Sequence, residues 1–421
     1  MTKIIISGGG TGGHIFPAIA IANALKAKVK EADILFIGAK GRMEMEKVPA
    51  AGYRIVGLTV SGFQRRMTWK NLTFPFKLLV SMMKARAVIR SFKPDVVIGV
   101  GGYASGPTLR IATNMGIPCL IQEQNSYPGV TNRLLGNKVR KICVAYAGME
   151  KYFPKEKLIL TGNPIRQDLV NLTGKGKGAQ EFFGLREGVQ VVLVIGGSLG
   201  AGTINQAVLE FVRSCSEGAT DELKIQILWQ TGKYYYKSVL AQLQEAGYRS
   251  RIMDDRERIT DHGSWMREMG PGIPLIVQPF IDRMDLAYAV ADLIISRAGA
   301  IAISELCVVA KPVILIPSPN VAEDHQTKNA KALAERDAAL LIRDHEAIEK
   351  LGIKIAEVIQ NQTLQANLKK NIALLGISNA AEKIADESLK LIPENPRISP
   401  EHENRHLVPD PDNPTVKEDH D

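Results

Sequence analysis

Glycine-rich loops are the features of this sequence with the clearest potential for chemistry. The loop GGGTGGH (8–14) follows the apolar run KIIIS (3–7) and holds five glycines in its first six positions. Glycines let a backbone approach a phosphate closely, and the N-terminus of the following helix presents unpaired N–H groups to it. The loop therefore predicts an anion-binding turn between a strand and a helix.

His14 stands at the start of that helix and is a candidate general base. The positive end of the helix dipole disfavours an imidazolium ion, so the ring would stay neutral and able to accept a proton. The alternative is a polar residue at a helix N-terminus with no chemical role. Glu123, which ends the apolar run PCLIQE (118–123) just before Asn125, is the second candidate for the base.

The second half of the chain repeats the strand, glycine loop and helix. The loop GGSLGAG (196–202) follows QVVLVI (190–195), and Ser198 within it offers a hydroxyl and a backbone N–H to a phosphate. The segment RAGAIAISE (297–305) indicates another anion-binding helix N-terminus, with Glu305 on the first turns of its helix.

The apolar runs that precede these loops are continuous, as is typical of parallel strands covered on both faces. Their alternation with helical patterns predicts an α/β protein with two doubly wound, Rossmann-like domains, joined by a linker near TGNPIR (161–166) and facing a cleft. We expect an N-terminal domain at 1–162 and a C-terminal domain at 163–375. A helix at 376–392 would return to the N-terminal domain, and a disordered tail would follow at 393–421. Residues 248–274 are expected to be an insertion.

Charge is distributed unevenly along the 421 residues, which contain 53 Lys and Arg against 44 Asp and Glu. The tail is acidic, so residues 1–392 carry a formal charge of +14. A basic body favours an acidic partner: nucleic acid, an anionic membrane surface or a phosphorylated ligand. The composition excludes a disordered chain, a collagen and a disulfide scaffold, and the four cysteines form no CxxC pair.

The segment 63–90 is basic and apolar, and no acidic residue occurs between Glu46 and Asp95. This pattern predicts docking on an anionic bilayer surface, and the alternative is an ordinary amphipathic helix. No nucleic-acid module is recognisable, so we expect no nucleic-acid partner. The first strand begins at Lys3, and no apolar run approaches the roughly 20 residues of a spanning helix. We therefore expect no signal peptide and a protein that is either soluble or peripheral to a membrane.

Seven motifs together resemble the bacterial MurG family over about residues 2–390: GGGTGGH, GGYASGP (101–107), EQN (123–125), TGNPIR, GGSLGAG, RAGAIAISE and DHQ with NA (324–330). The resemblance implies a GT-B fold and inverting transfer of N-acetylglucosamine from its UDP donor to undecaprenyl-pyrophosphoryl-N-acetylmuramyl-pentapeptide, which converts lipid I to lipid II. It also implies no cofactor, no essential metal ion and a location at the cytoplasmic face of the bacterial inner membrane.

Matched position by position, the resemblance assigns these residues to the UDP-N-acetylglucosamine site: Thr11, Gly12, Gly13, Asn125, Arg166, Ser198, Ile281, Ala300, Ile301, Ala302, Ile303, Ser304, Glu305 and Gln326. Arg166 and Ser198 would lie at the phosphates, and the backbone of Ile281 would hold the uracil. Glu305 would contact ribose or sugar hydroxyls. Gln122 departs from the family, which often has histidine at that position.

Three other functions fit parts of the pattern. A UDP-N-acetylglucosamine 2-epimerase would share the two-domain architecture and need no lipid. An NAD(P)-dependent oxidoreductase would use Gly8, Gly10 and Gly13, but the second strand ends Gly38-Ala39-Lys40 without the acidic residue that binds ribose. A catalytically silent adaptor at the membrane surface would bind nucleotide sugars without turnover.

Overall fold

The computed structural model describes residues 1–60, 74–197, 199–216, 223–248, 251–252, 273–321 and 324–393. Ser198, the first part of the basic apolar segment and the tail from residue 394 lie outside these ranges. So does most of the region 248–274, although two of its residues form a short strand, β10.

Within the described residues the chain forms two seven-stranded sheets, in which every paired strand is parallel to its neighbour. The strands of the first sheet are β1 (Lys3–Ser7), β2 (Asp33–Ala39), β3 (Arg54–Leu58), β4 (Val96–Gly99), β5 (Cys119–Glu123), β6 (Lys141–Val144) and β7 (Leu158–Leu160). Those of the second sheet are β8 (Gln190–Ile195), β9 (Ile225–Gln230), β10 (Arg251–Ile252), β11 (Leu275–Gln278), β12 (Leu293–Ser296), β13 (Val313–Leu315) and β14 (Leu340–Leu341).

Helices cover both faces of each sheet. They are α1 (Gly12–Lys28), α2 (Glu44–Ala50), α3 (Phe74–Phe92), α4 (Ser105–Asn114), α5 (Val130–Leu135), α6 (Gly176–Phe183), α7 (Gly202–Ser216), α8 (Tyr236–Glu245), α9 (Met284–Val290), α10 (Ala300–Val309), α11 (His325–Ala334), α12 (Ala347–Gln360), α13 (Gln362–Ala373) and α14 (Ala380–Leu389). None of these described helices has the length and apolar character that a bilayer crossing requires.

The central strands are apolar throughout because both of their faces are buried. In β1, Ile4 and Ile6 pack into the core on one face of the first sheet, whereas Ile5 packs into the core on the other. Val192 and Leu193 of β8 divide in the same way between the two cores of the second sheet.

Both glycine loops lie where the strand order reverses. The order in the first sheet is β3-β2-β1-β4-β5-β6-β7, and in the second it is β10-β11-β9-β8-β12-β13-β14. The loop 8–13 follows β1 and the loop 196–202 follows β8, the strand at which each sheet changes direction. Such topological switch points open a crevice at the carboxyl ends of the strands, where ligands bind.

The C-terminal helix α14 returns to the first sheet. Ile384 and Ala385 pack in the core beside α1. The Lys28 Nζ lies 2.8 Å from the Asp386 Oδ1. The chain thus crosses between the two sheets twice, first in the segment that contains Gly162 and again in the segment that contains Ile377. The two segments are in contact at these residues. Gly162 has a φ of +81°, and an added Cβ would lie 2.8 Å from the Ile377 Cβ.

We therefore expect Gly162→Ala to destabilise the fold more than a matched glycine substitution. The positive φ costs a non-glycine residue roughly 1–2 kcal/mol, and the collision with Ile377 adds about 1–3 kcal/mol. Gly188→Ala is the control, because Gly188 has a φ of +74° but no neighbour within 4 Å of an added Cβ. Thermal unfolding of both variants measures the difference in stability. Equal unfolding midpoints would contradict close contact between Gly162 and Ile377.

Candidate active site

A cleft of about 1750 Å³ lies between the two sheets and is lined from both halves of the chain. The residues predicted from the sequence that line it are Thr11, Gly12, Gly13, His14, Glu123, Asn125, Arg166, Ala300, Ile301, Ala302, Glu305 and Gln326. Ile281, Ile303 and Ser304 are not among its lining residues: the Ile303 side chain is buried in the core, and the Ser304 hydroxyl donates to the Ala300 carbonyl. Ser198 lies outside the described residues.

His14 is held at the start of α1 by the first glycine loop. Its Nδ1 lies 3.1 Å from the Thr11 Oγ1, and the Gly9 carbonyl accepts a hydrogen bond from the ring. Burial lowers the pKa of His14 to about 4, against the opposing effects of the Gly9 carbonyl and the Glu44 carboxylate. The imidazole is therefore neutral at pH 7 and able to accept a proton. Gly101 leaves room for the ring, since an added Cβ there would lie 2.9 Å from Nε2.

Glu123 is 2% exposed, and its carboxylate shapes the loop that follows β5. Its Oε1 accepts from the Asn125 backbone N–H at 3.0 Å, and its Oε2 accepts from the Gly129 N–H at 3.1 Å and the Asn132 Nδ2 at 2.9 Å. Burial raises the pKa of Glu123, whereas these donors lower it. Since both oxygens are engaged by the loop, His14 is the better placed of the two candidates to accept a substrate proton.

Arg166 and Glu305 form an ion pair at the side of the cleft that the C-terminal half contributes. The Arg166 Nε lies 3.3 Å from the Glu305 Oε1. Burial raises the pKa of Glu305, while Arg166 and a hydrogen bond from the Tyr288 hydroxyl lower it. Glu305 belongs to α10, whose N-cap is Gly299, a residue with no side chain to occupy the first N–H groups. Arg166 and this helix N-terminus together make a site suited to an anion.

Helix α11 supplies two amide side chains. The Gln326 carbonyl oxygen accepts from the backbone N–H groups of Ala298 at 3.2 Å and Ser318 at 2.9 Å, so its NH₂ end is the one that can donate to a ligand. The Asn329 Oδ1 accepts from the backbone N–H of Ser126 at 3.1 Å and from its hydroxyl at 2.9 Å. Asn329 therefore connects the two halves of the chain across the cleft.

Sequence reasoning missed several residues of this site, Glu44 and Tyr288 among them. Glu44 lies beneath the first glycine loop, and Tyr288 touches Glu305. Neither belongs to a glycine loop or follows a buried strand directly, so no local pattern marks them. Ile281, expected to hold uracil through its backbone, donates its N–H to the Gln230 Oε1 at 2.8 Å. Across the described ranges, no three His, Cys, Asp or Glu side chains converge in a way that could hold a metal ion.

Two family models match this chain. The model for the glycosyltransferase family 28 N-terminal domain matches residues 4–144, and the model for the family 28 C-terminal domain matches residues 191–387. The first match covers β1 to β6, and the second covers the strands of the second sheet and continues into α14.

Similar proteins extend this result over nearly the whole chain. A protein of Parabacteroides distasonis named UDP-N-acetylglucosamine–N-acetylmuramyl-(pentapeptide) pyrophosphoryl-undecaprenol N-acetylglucosamine transferase is 50% identical, over 93% of this chain and 98% of its own length. The structure of Acinetobacter baumannii MurG is 25% identical, with a TM-score of 0.72 over 93% of this chain and 100% of its own. A UDP-GlcNAc 2-epimerase from Neisseria meningitidis shares the fold alone, at 15% identity and a TM-score of 0.60 over 93% of this chain and 100% of its own. The chain belongs to the MurG family within glycosyltransferase family 28.

Proposed function

We propose that this chain transfers N-acetylglucosamine from UDP-N-acetylglucosamine to the C4 hydroxyl of undecaprenyl-pyrophosphoryl-N-acetylmuramyl-pentapeptide, converting lipid I to lipid II in peptidoglycan synthesis. One observation carries the proposal: the 50% identity across nearly the full length of an enzyme named for this transfer. The cleft supports it, because a neutral histidine and an anion-binding helix N-terminus face the same space. The epimerase alternative has support from a shared fold alone.

His14 is the proposed general base. The C4 hydroxyl must lose its proton as its oxygen attacks the anomeric carbon, and a neutral imidazole in the cleft can receive that proton. The Thr11 hydroxyl, 3.1 Å from Nδ1, holds the ring from one side. The proton would then be taken by Nε2, which lies beside Gly101. Attack from the face opposite UDP inverts the configuration at the anomeric carbon.

The leaving diphosphate would be stabilised from the C-terminal half. Negative charge develops on the UDP oxygens as the bond to the sugar breaks, and fixed positive potential at that point lowers the barrier. Arg166 and the N-terminus of α10 supply such potential, and we propose that Ser198 and its glycine loop add to it. Asn125 and Gln326 would contact the donor sugar, and Glu305 the ribose. Phe280, which lines the cleft next to Ile281, would lie near the uracil.

The acceptor would enter from the N-terminal side. Lys77, Leu78 and Met82 of α3 line the cleft together with Arg110, so this end combines apolar surface with positive charge. Such a surface suits a lipid-linked diphosphate. We also propose the domain division at residue 162, because the first sheet ends at Leu160 and the second begins at Gln190.

Helix α3 is the part of the basic apolar segment that the structure describes. Its buried side chains include Ser81, Ala85 and Ile89, whereas Phe76, Leu79 and Met83 are 70%, 54% and 57% exposed. Arg86 and Arg90 are exposed on the same helix. We propose that these residues dock on the cytoplasmic face of the membrane, beside the lipid-linked substrate.

A transfer assay tests the reaction itself. We expect the wild-type protein to move labelled N-acetylglucosamine from its UDP donor to a short-chain lipid I analogue, with EDTA present. A heat-inactivated sample and a reaction lacking the acceptor are the controls. Label recovered as free N-acetylmannosamine would instead indicate the epimerase, and donor binding without turnover would indicate the adaptor.

The role of His14 predicts both a mutational loss and a pH profile. His14→Gln should lower kcat by about 100- to 10,000-fold, the usual contribution of a general base. The base is active when deprotonated, so activity falls only as the pH drops through the pKa of about 4. We therefore expect kcat/KM of the wild type to stay level from about pH 8 down to about pH 5.5, below the usual histidine pKa of about 6.5.

A fall in kcat/KM centred near the usual histidine pKa of about 6.5 would contradict this assignment, provided that the circular dichroism of the protein is unchanged. His345→Gln is the matched control, because His345 lies in the turn before α12 and is not among the residues that line the cleft. It should retain wild-type kcat.

Membrane docking predicts a difference between two matched double variants. Met83→Ser/Arg86→Glu removes one exposed apolar group and reverses one charge on α3, and Ile353→Ser/Lys350→Glu does the same on α12, where Ile353 is 68% exposed. A basic residue near an anionic surface contributes about 1 kcal/mol, so reversing its charge costs about 2 kcal/mol, which is roughly 30-fold in affinity. The α3 variant should therefore bind anionic vesicles at least about tenfold more weakly in co-sedimentation, and the α12 variant should bind like the wild type. Equal binding by the two variants would overturn the docking proposal.

A further inference from the structure

Glu44 is a buried carboxylate placed directly beneath the first glycine loop. It is the first residue of α2 and is 1% exposed. Its two oxygens lie 3.1 and 3.0 Å from the Gly10 nitrogen, and its Oε1 also accepts from the Ala39 N–H at 3.0 Å. The side chain thus joins the turn after β1 to the end of β2.

The loop and this side chain are fitted to each other. A Cβ at Gly9 would lie 2.1 Å from the Glu44 Oε1, and one at Gly38 would lie 2.6 Å from the Glu44 Cγ. Gly9 and Gly10 have φ values of +146° and +93°, which favour glycine. Burying a carboxylate is costly, and the N–H donors of Gly10 and Ala39 offset part of that cost.

The first glycine loop connects Glu44 to His14. Glu44 holds the Gly10 N–H, and the next residue, Thr11, places its Oγ1 3.1 Å from the His14 Nδ1. The Gly9 carbonyl on the same turn also accepts from the ring. Burial disfavours the protonated ring of His14, and so does the charge of His325 on α11, whereas the Glu44 charge favours it. Glu44 is therefore placed beneath the turn that carries both contacts of the His14 ring.

We propose that Glu44 is a positioning residue for His14 in the sugar transfer. It fixes the Gly9 carbonyl that orients the imidazole, and its negative charge stabilises the imidazolium that forms when His14 takes the proton of the acceptor hydroxyl. The proton stays on His14, and Glu44 exchanges none. The inference rests on the proposed function, in which His14 is the base.

Glu44→Gln tests this role, because it removes the charge while keeping the size of the side chain. We expect kcat to fall by about 10- to 100-fold, as for other residues that orient an active group. The KM for UDP-N-acetylglucosamine should stay close to that of the wild type. Glu46→Gln is the matched control: it removes a charge from the same helix at a side chain that is 77% exposed. It should leave kcat unchanged.

The second measurement does not depend on activity. In ¹⁵N-histidine spectra at pH 7, assigned with His14→Gln, the His14 nitrogens of the wild type should show a single tautomer. In Glu44→Gln they should show a mixture, because the Gly9 carbonyl is no longer fixed. A wild type that fails to transfer sugar would refute the proposed function, but these spectra would still decide whether Glu44 orients His14.

Wild-type kcat in folded Glu44→Gln, or an unchanged His14 spectrum in that variant, would overturn the inference. If Glu44→Gln does not fold, Glu44→Asp takes its place, with Glu46→Asp as its control. The shorter carboxylate cannot reach both Gly10 and Ala39, so the same loss of kcat and the same mixture of tautomers are expected. Glu44→Asp with wild-type kcat and spectrum would be equally decisive against the role.

Discussion

The position of the proposed base depends on two glycine turns that pass within contact distance of each other. A Cβ at Gly102 would lie 2.0 Å from the Gly9 carbonyl oxygen, and one at Gly8 would lie 2.1 Å from a Val100 methyl carbon. A side chain at these positions would therefore push apart the turns that follow β1 and β4. Because α1 begins at the end of the first turn, this steric constraint fixes where His14 stands. The hydrogen bonds of Glu44 then hold the turn in place.

A second constraint brings the two halves of the chain to one cleft. Asn163, on the crossing segment, accepts from the Gln122 side chain at 2.8 Å and donates to the Ser304 hydroxyl at 3.0 Å. Asn329 makes the corresponding bridge from α11 to the loop after β5. These amides and hydroxyls carry no charge over the usual pH range, so the bridges are insensitive to pH. Gln122 fits this pattern, since a histidine in its place would introduce a group that titrates.

The sequence was a good guide to the central strands and the glycine loops, and a poor one to the edges and the supporting contacts. Apolar runs predicted β1, β5 and β8 within one residue, because strands buried on both faces are apolar throughout. The edge strands β3 and β7 are partly exposed, and β7 has only three residues, so their apolar patterns are weak. Glu44 could not be found in this way, since its partner Gly10 lies 34 residues earlier and meets it through the pairing of β1 with β2.

The proposed reaction is a single displacement in this cleft, with the acceptor hydroxyl deprotonated on one side and UDP leaving on the other. The most direct measurement is the anomeric configuration of the transferred sugar, read by NMR from the product made with ¹³C-labelled UDP-N-acetylglucosamine and a soluble lipid I analogue. The α-configured donor should give a β-linked product, because one displacement inverts the anomeric carbon once. An α-linked product would require a second displacement or front-side attack and would contradict the role assigned to His14.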